Sequence, residues 1–304
     1  MSTTQQVPAS AATRQLDAAA AAVVVLLCLS WGFNQVAVKL AIPDIPPLLQ
    51  ATIRSLGAAL LVWLWTLARR VPLHRRDATL WPGLLTGLLF GIEFVLIYRG
   101  LLFTTASRAV LFLYTAPFFV VLGARWLLPG DHFRASQWAG LALSFAGIAV
   151  AFGVPTPSGD PRELLGDVML VGGAMAWAVT TLTIKTSSLN RAPAEKTMLY
   201  QLVVSVPILA VGSLAFGEKL TAWPGAVALG SLAYQTVWVV SVTFVIWFAL
   251  IVRYSASRLS AFTFLTPLFG VAAGHFVLGD PLTPGFAAAA LLVIAGLVLV
   301  NRPR

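Results

Sequence analysis

Ser30-Trp31-Gly32-Phe33-Asn34-Gln35-Val36-Ala37-Val38-Lys39 lies over Ala176-Trp177-Ala178-Val179-Thr180-Thr181-Leu182-Thr183-Ile184-Lys185, with the Trp and the Lys both recurring at an offset of 146 residues. Further matches follow in the same order on either side. Trp81-Pro82-Gly83 returns as Trp223-Pro224-Gly225, and Gly130-Asp131 returns as Gly279-Asp280. Ala106-Ser107-Arg108 followed by Pro117 returns as Ala256-Ser257-Arg258 followed by Pro267, at an offset of 150. Such an ordered set describes a duplicated chain. The expected division is a polar tail at 1–17, one copy at 19–153, a linker at 154–163 and a second copy at 164–301.

Each copy is built from apolar runs. Of 304 residues 59% are hydrophobic and only 10% are charged, against about 25% charged in soluble domains. A soluble fold cannot hide that much apolar surface, so the chain reads as an integral membrane protein. Ten runs are long enough to cross about 30 Å of hydrocarbon: 19–42, 47–68, 80–102, 106–128, 135–153, 164–187, 197–216, 224–250, 257–278 and 284–301. Unpaired backbone amides are intolerable in lipid and the weak alternating segments of a barrel are missing, so the runs are predicted to be helices. The first run is too long for the core of a signal peptide and is expected to be retained. The expected fold class is therefore an all-α polytopic membrane protein with ten transmembrane helices.

Five spans per copy is an odd number, so the copies are expected to have opposite orientations. The cations agree. With the N-terminus in the cytoplasm, 14 Lys and Arg fall inside and 5 fall outside, leaving Arg54 within the second span. This predicts both termini cytoplasmic and a multi-pass protein of the cell membrane, the inner membrane of a bacterium. The net charge of +9 then reflects topology, and nucleic acid is not an expected partner. Two similar halves of inverted topology can exchange conformations around a midplane site. That is the strongest functional implication of the repeat.

The residues also resemble a family. Leu29-Ser30-Trp31-Gly32-Phe33-Asn34, Arg54, Tyr114-Thr115-Ala116-Pro117-Phe118-Phe119, Gly130-Asp131 leading to Gln137-Trp138-Ala139-Gly140, and Ala146-Gly147 are similar to the EamA family of the drug/metabolite transporter superfamily. So are Leu265-Thr266-Pro267-Leu268-Phe269-Gly270 and Ala295-Gly296 in the second copy. Where the family usually carries Glu after the fourth and ninth spans, this chain has Asp131 and Asp280. The resemblance covers about 20–301 and implies a ten-helix carrier, many such carriers being exporters of amino acids and other metabolites. Exporters of aromatic and other amino acids, the YddG type, are the leading candidates within it.

Buried polar groups mark the expected site. Trp31, Asn34, Gln35 and Val38 share one face of the first span, and Trp177, Thr180, Thr181 and Ile184 repeat that spacing in the sixth. Tyr234, Gln235, Trp238 and Ser241 add polar and aromatic groups in the eighth span, and Tyr114 stands before Pro117 in the fourth. Such groups either line a pocket or join helices by hydrogen bonds. Glu93 is the one carboxylate deep in a span; it reads as a proton-coupling or substrate-amine site, as a structural partner of Arg99 or Arg54, or as a protonated, inert side chain. Pro117 and Pro267 remove helical hydrogen bonds and are candidate hinges. Arg54, Arg108 and Arg258 near span ends are expected to snorkel, and Asp167 to occupy the first turn of the sixth span as a structural group. His275 reads as a packing residue. The second, fifth, seventh and tenth spans, with few deep polar groups, are expected to be supporting or lipid-facing.

Cys28 stands alone, and no His or Cys set has metal-ligand spacing, so neither metal nor cofactor is expected. No phosphate-binding loop motif occurs. The reading is a secondary transporter, not an enzyme, that exports small metabolites, amino acids first, as a monomer in the lipid bilayer. The alternative is an exporter of amphipathic cations or other drugs; an intramembrane enzyme or a channel would need a catalytic cluster or polar rings that the sequence does not display.

Overall fold

The structure is a computed structural model that describes residues 16–73, 77–153, 160–279, 281–282 and 285–302. Most of the tail, linker residues 154–159, His74 and Asp280 lie outside the described residues. What is described is helical, with no strand among the described residues. Nine helices are long and apolar enough to cross a membrane, and a tenth, shorter apolar helix follows them. At 17 residues that last helix is at the lower limit for a span.

The first three spans are α1 (Ala18–Ala41), α2 (Pro47–Ala68) and α3 (Leu80–Gly100). The fourth is broken into α4 (Ala106–Leu113) and α5 (Ala116–Leu127), and the fifth is α6 (Ala135–Phe152). The second copy has α7 (Pro161–Thr186), α8 (Ala194–Ala215), an eighth span made of α9 (Ala226–Ala233) and α10 (Phe244–Arg253), a ninth broken into α11 (Ala256–Phe262) and α12 (Leu265–Leu278), and α13 (Gly285–Asn301). Local chemistry explains the ends. The Asp17 carboxylate accepts the Ala20 amide at 2.8 Å and caps α1, while Pro47 and Pro161 open α2 and α7, where a missing N–H costs nothing. The breaks fall just before Pro117 and Pro267. There the Thr115 and Thr263 hydroxyls donate to the Phe112 and Ser260 carbonyls at 2.5 and 2.7 Å, satisfying groups the broken helix leaves unpaired.

Sequence periodicity treated the eighth span as one regular helix. Between α9 and α10, however, Tyr234–Thr243 is a π-helix, a rare conformation that is frequent at functional sites. Three of its hydroxyls donate to carbonyls in or just before it: Thr236 to Leu232, Ser241 to Thr236 and Thr243 to Val239, at 2.7, 2.7 and 2.6 Å. The wider turn shifts which residues share a face.

The two copies interlock. The first span packs on the ninth, the fourth on the sixth, the third on the sixth and seventh, and the eighth on the first and second, while the second meets the seventh and the fifth meets the tenth. Exchanging the copies (first for sixth, second for seventh, and so on) maps this set of neighbours onto itself, as a two-fold axis between inverted halves requires. Close approach is needed at Gly32, where an added Cβ would stand 2.7 Å from the Gly270 nitrogen and the Thr266 carbonyl oxygen. Trp63, Trp65, Trp81 and Trp223 are all exposed on the outside of the bundle, as aromatic side chains of an interfacial belt would be.

Three expectations are corrected. Arg54 does not snorkel: it is 3% exposed and its guanidinium lies 4.3 Å over the Phe94 ring. Arg258 is buried as well, and Arg108 forms ion pairs with Asp167 and Glu163. Packing against another helix, which position along a span does not reveal, turns these cations inward. Asp167 lies in the second turn, because α7 begins at Pro161, and it accepts from Arg108 and from the Thr104 hydroxyl, the latter at 2.9 Å. Finally, the second and seventh spans are not polar-poor. Gln50, Arg54 and Ser55 in α2, and Thr197, Gln201 and Ser205 in α8, are all buried.

Candidate functional site

The two copies meet on aromatic side chains. Trp31 and Trp177, repeat equivalents, stand edge to face with centroids 6.4 Å apart. Trp31 also packs on Phe244 and Trp247 at 5.6 and 5.1 Å, and Trp177 stacks on Trp247 at 6.2 Å. The Trp31 indole N–H donates to the Thr243 hydroxyl in the π-helix at 2.8 Å. Trp247 is fully buried, while Trp31 and Trp177 are half-buried. Phe90 extends it into α3, edge-on to Phe244 at 5.9 Å. A second equivalent pair touches where the broken spans turn: the Tyr114 and Phe264 rings, 150 residues apart in sequence, lie 6.2 Å apart. Equivalent residues can touch only close to the axis that relates the halves.

Polar groups lie beyond this cluster. Asn34 is one turn past Trp31 toward Lys39. The Glu93 carbonyl faces Gly173, one turn from Trp177, with 3.6 Å to an added Cβ there. Both displacements are toward the end where Arg99 and Arg108 lie. Asn34 Oδ1 and Glu93 Oε2 are buried without a hydrogen-bond partner. Thr180 and Thr181 are buried on the opposite side of Trp177, and the Thr180 hydroxyl also has no partner.

Other expected site residues are placed elsewhere. Gln35 is exposed, beside Gly270 of α12. Tyr234 and Trp238 join the eighth span to the first, donating to the Ser30 carbonyl and hydroxyl at 3.0 Å each. Gln235 is fully buried and donates to Gln50 Oε1 at 3.2 Å, while Gln50 donates to the Ile45 carbonyl at 2.7 Å. These three residues tie helices together with their polar ends already engaged, except for Gln235 Oε1, which is orphaned.

The two ends of the bundle differ. All seven residues of α11 are buried, whereas in α4 Arg108, Val110 and Phe112 are only half-buried. The α11 end is also bound by polar contacts. Lys185 donates to the Ile251, Val252 and Tyr254 carbonyls at 2.7, 2.9 and 2.7 Å. Asp131 accepts the Ser255 hydroxyl at 2.6 Å, and the Tyr254 hydroxyl donates to Asp17 at 3.1 Å.

Comparison with known sequences agrees with this architecture. The model of the EamA-like transporter family matches residues 18–153 and again residues 164–302. The chain belongs to the EamA-like transporter family. It is thus a membrane transporter, and its relatives are transporters as well. It is 30% identical over 279 residues to the uncharacterized transporter YvbV of Bacillus subtilis (strain 168), covering 90% of this chain and 89% of that one. It is 28% identical over 286 residues, 90% of this chain and 92% of the other, to a protein of Salmonella typhimurium named "Probable amino-acid metabolite efflux pump". Against the uncharacterized inner membrane transporter YedA of Escherichia coli (strain K12) identity is 24% over 283 residues, 90% and 88% of the two chains. A solved crystal structure shares the fold, with a TM-score of 0.76 at 19% identity over 93% of this chain and 96% of that one.

Within this EamA-like fold, sequence reasoning overlooked Trp247 and Phe244, which complete the cluster, and the buried charge of Arg54. The two aromatics stand in a run, Phe244-Val245-Ile246-Trp247-Phe248, too uniformly apolar for periodicity to mark an inner face. The sign for Arg54 was present: a cation eight residues into a span is costly unless the protein interior receives it.

Proposed function

We propose that this transporter exports small metabolites, amino acids including aromatic ones first among them, by alternating access of the halves 19–153 and 164–301. The contact of Trp31 with Trp177 carries the reading: equivalent side chains from inverted copies meet on the axis about which the halves would exchange. The sealed α11 end and the looser α4 end are what an outward-open state would display, with both termini in the cytoplasm. Pro117 and Pro267, at the two breaks, would be its hinges. The name of the Salmonella relative supports efflux and amino-acid substrates. Trp31, Trp177, Asn34 and Glu93 would contact the solute, with Tyr114, Thr180 and Thr181 around them, in a monomer with lipid as its only other partner and without cofactor or enzymatic step. The four-ring cluster equally suits an amphipathic cation through ring-face attraction, which makes cation export the second reading.

The test is flux in proteoliposomes with a panel of amino acids and amphipathic cations, with and without a pH gradient. Trp31→Ala and Trp177→Ala should lower saturable flux at least about ten-fold, the scale of one well-packed aromatic contact, at equal membrane abundance. Full activity in both variants would remove the site assignment.

A further inference from the structure

We propose that Arg54 and Glu93 form a two-sign site that selects zwitterions, Arg54 taking the carboxylate of an α-amino acid and Glu93 its ammonium. The proposal rests on the transport reading and names the substrate class of that site. The observation is an unusual one for a membrane interior. Arg54 on α2 and Glu93 on α3 are 3% and 7% exposed, yet Arg54 Nε and Nη2 and Glu93 Oε2 have no hydrogen-bond partner. The Phe94 ring that carries the Arg54 guanidinium belongs to the residue next to Glu93, and no hydrogen bond joins these orphaned atoms. Two opposite charges left unsatisfied in a low-dielectric interior are strongly disfavoured unless something completes them.

Their surroundings narrow what that is. The Phe94 ring lies flat against the Arg54 guanidinium carbon at 4.3 Å and meets Phe90 at 5.0 Å, and Phe90 joins the cluster through Phe244. An aromatic wall therefore runs from the charged pair to Trp31 and Trp177. Gln235, held by Gln50 one turn from Arg54, contributes a further buried acceptor without a partner, Oε1, on the side of the eighth span. Counted from the matching Trp81 and Trp223, Gln235 is also the repeat equivalent of Glu93, so the second copy carries an uncharged amide where the first carries the carboxylate. A guanidinium and a carboxyl group, each with unpartnered polar atoms, are thus presented together. An anionic solute would leave Glu93 unmatched, and a cationic one would leave Arg54 unmatched. A zwitterion satisfies both, and a guanidinium suits a carboxylate because its planar fork can give two parallel bonds.

The experiment measures, with purified full-length protein in proteoliposomes, inhibition of labelled L-phenylalanine counterflow by L-phenylalanine, L-phenylalaninamide and 3-phenylpropanoate. Counterflow of tetraphenylphosphonium is followed in parallel. The amide lacks the carboxylate and the propanoate lacks the amine, so each should inhibit at least about ten-fold more weakly than phenylalanine, the scale of a lost charge-assisted hydrogen bond. Arg54→Gln should abolish the preference for phenylalanine over the amide while keeping that over the propanoate. Glu93→Gln should do the reverse, and Arg54→Lys should restore part of the first preference. Ratios within each variant cancel differences in abundance; if the Arg54 variants do not fold, the wild-type ratios decide. Equal inhibition by phenylalanine and its amide in the wild type, or unchanged ratios in folded Arg54→Gln and Glu93→Gln, overturns the proposal. Saturable phosphonium counterflow without phenylalanine counterflow overturns it too but leaves transport standing. Absence of saturable counterflow for either probe removes the transport reading itself.

Discussion

Replacing Lys185 by Met removes the ammonium that receives the end of α10. The last carbonyls of a helix have no intrahelical donor; in α10 the Leu250 carbonyl is taken by the Tyr254 amide at 2.9 Å, and those of Ile251 and Val252 by Lys185, which also takes that of Tyr254. Lys185 is 7% exposed, so water does not substitute readily. A bond to a charged donor contributes about 1.5–3 kcal/mol, and each buried carbonyl left unpaired costs about 1–3 kcal/mol. Because the three N–H donors belong to one ammonium and part of the loss is relieved by relaxation, we expect a net cost of about 3–5 kcal/mol. On the scale of soluble domains that lowers the melting temperature by about 6–20 °C. The assay is thermal unfolding of the purified protein in detergent, beside Lys39→Met, the repeat equivalent. Lys39 is exposed, so its replacement should cost under about 1 kcal/mol. Lys185→Arg should fall between, since a planar fork converges less well than a tetrahedral ammonium on three carbonyls. If Lys185→Met melts within about 2 °C of the parent, the carbonyl-clamp argument is refuted.

Gly32→Ala should destabilise by about 1–3 kcal/mol through overpacking, because the added Cβ meets backbone atoms of α12 at 2.7 Å, whereas Gly230→Ala, with nothing within 4 Å, should leave the melting temperature unchanged or slightly raised. In the loop between α2 and α3, the Thr79 hydroxyl and the Lys196 ammonium hold the Asp77 carboxyl down to about 2 from an ordinary 3.8. A depressed carboxyl means that the contribution of this link is fully present above about pH 4 and is lost as pH falls toward 2; carbon-13 titration of labelled Asp should report that range, and Thr79→Val or Lys196→Met should move it upward.

Ten apolar runs and an ordered repeat of five spans each were enough to read a polytopic helical protein of two inverted halves. Lipid imposes that legibility: a span must be about 20 apolar residues long and must satisfy its own backbone, so composition and length betray it. The helix breaks were legible for a related reason, since Pro117 and Pro267 cannot donate. The meeting of Trp31 with Trp177 was half legible, because repeat symmetry names equivalent residues but not whether they lie near the axis. What a side chain faces was decided only by the tertiary structure. Tyr234 and Trp238 reach Ser30, Gln235 reaches Gln50, and Arg54 turns into the seam against Phe94, because in a bundle that is apolar throughout, periodicity no longer separates an inner face from an outer one. The π-helix at Tyr234–Thr243 adds to this by changing the register midway along the span. Lys39 and Lys185 occupy equivalent positions in the sequence, yet one is exposed and the other buried against three carbonyls, since two copies of one pattern whose ends pack differently need not meet the same neighbours.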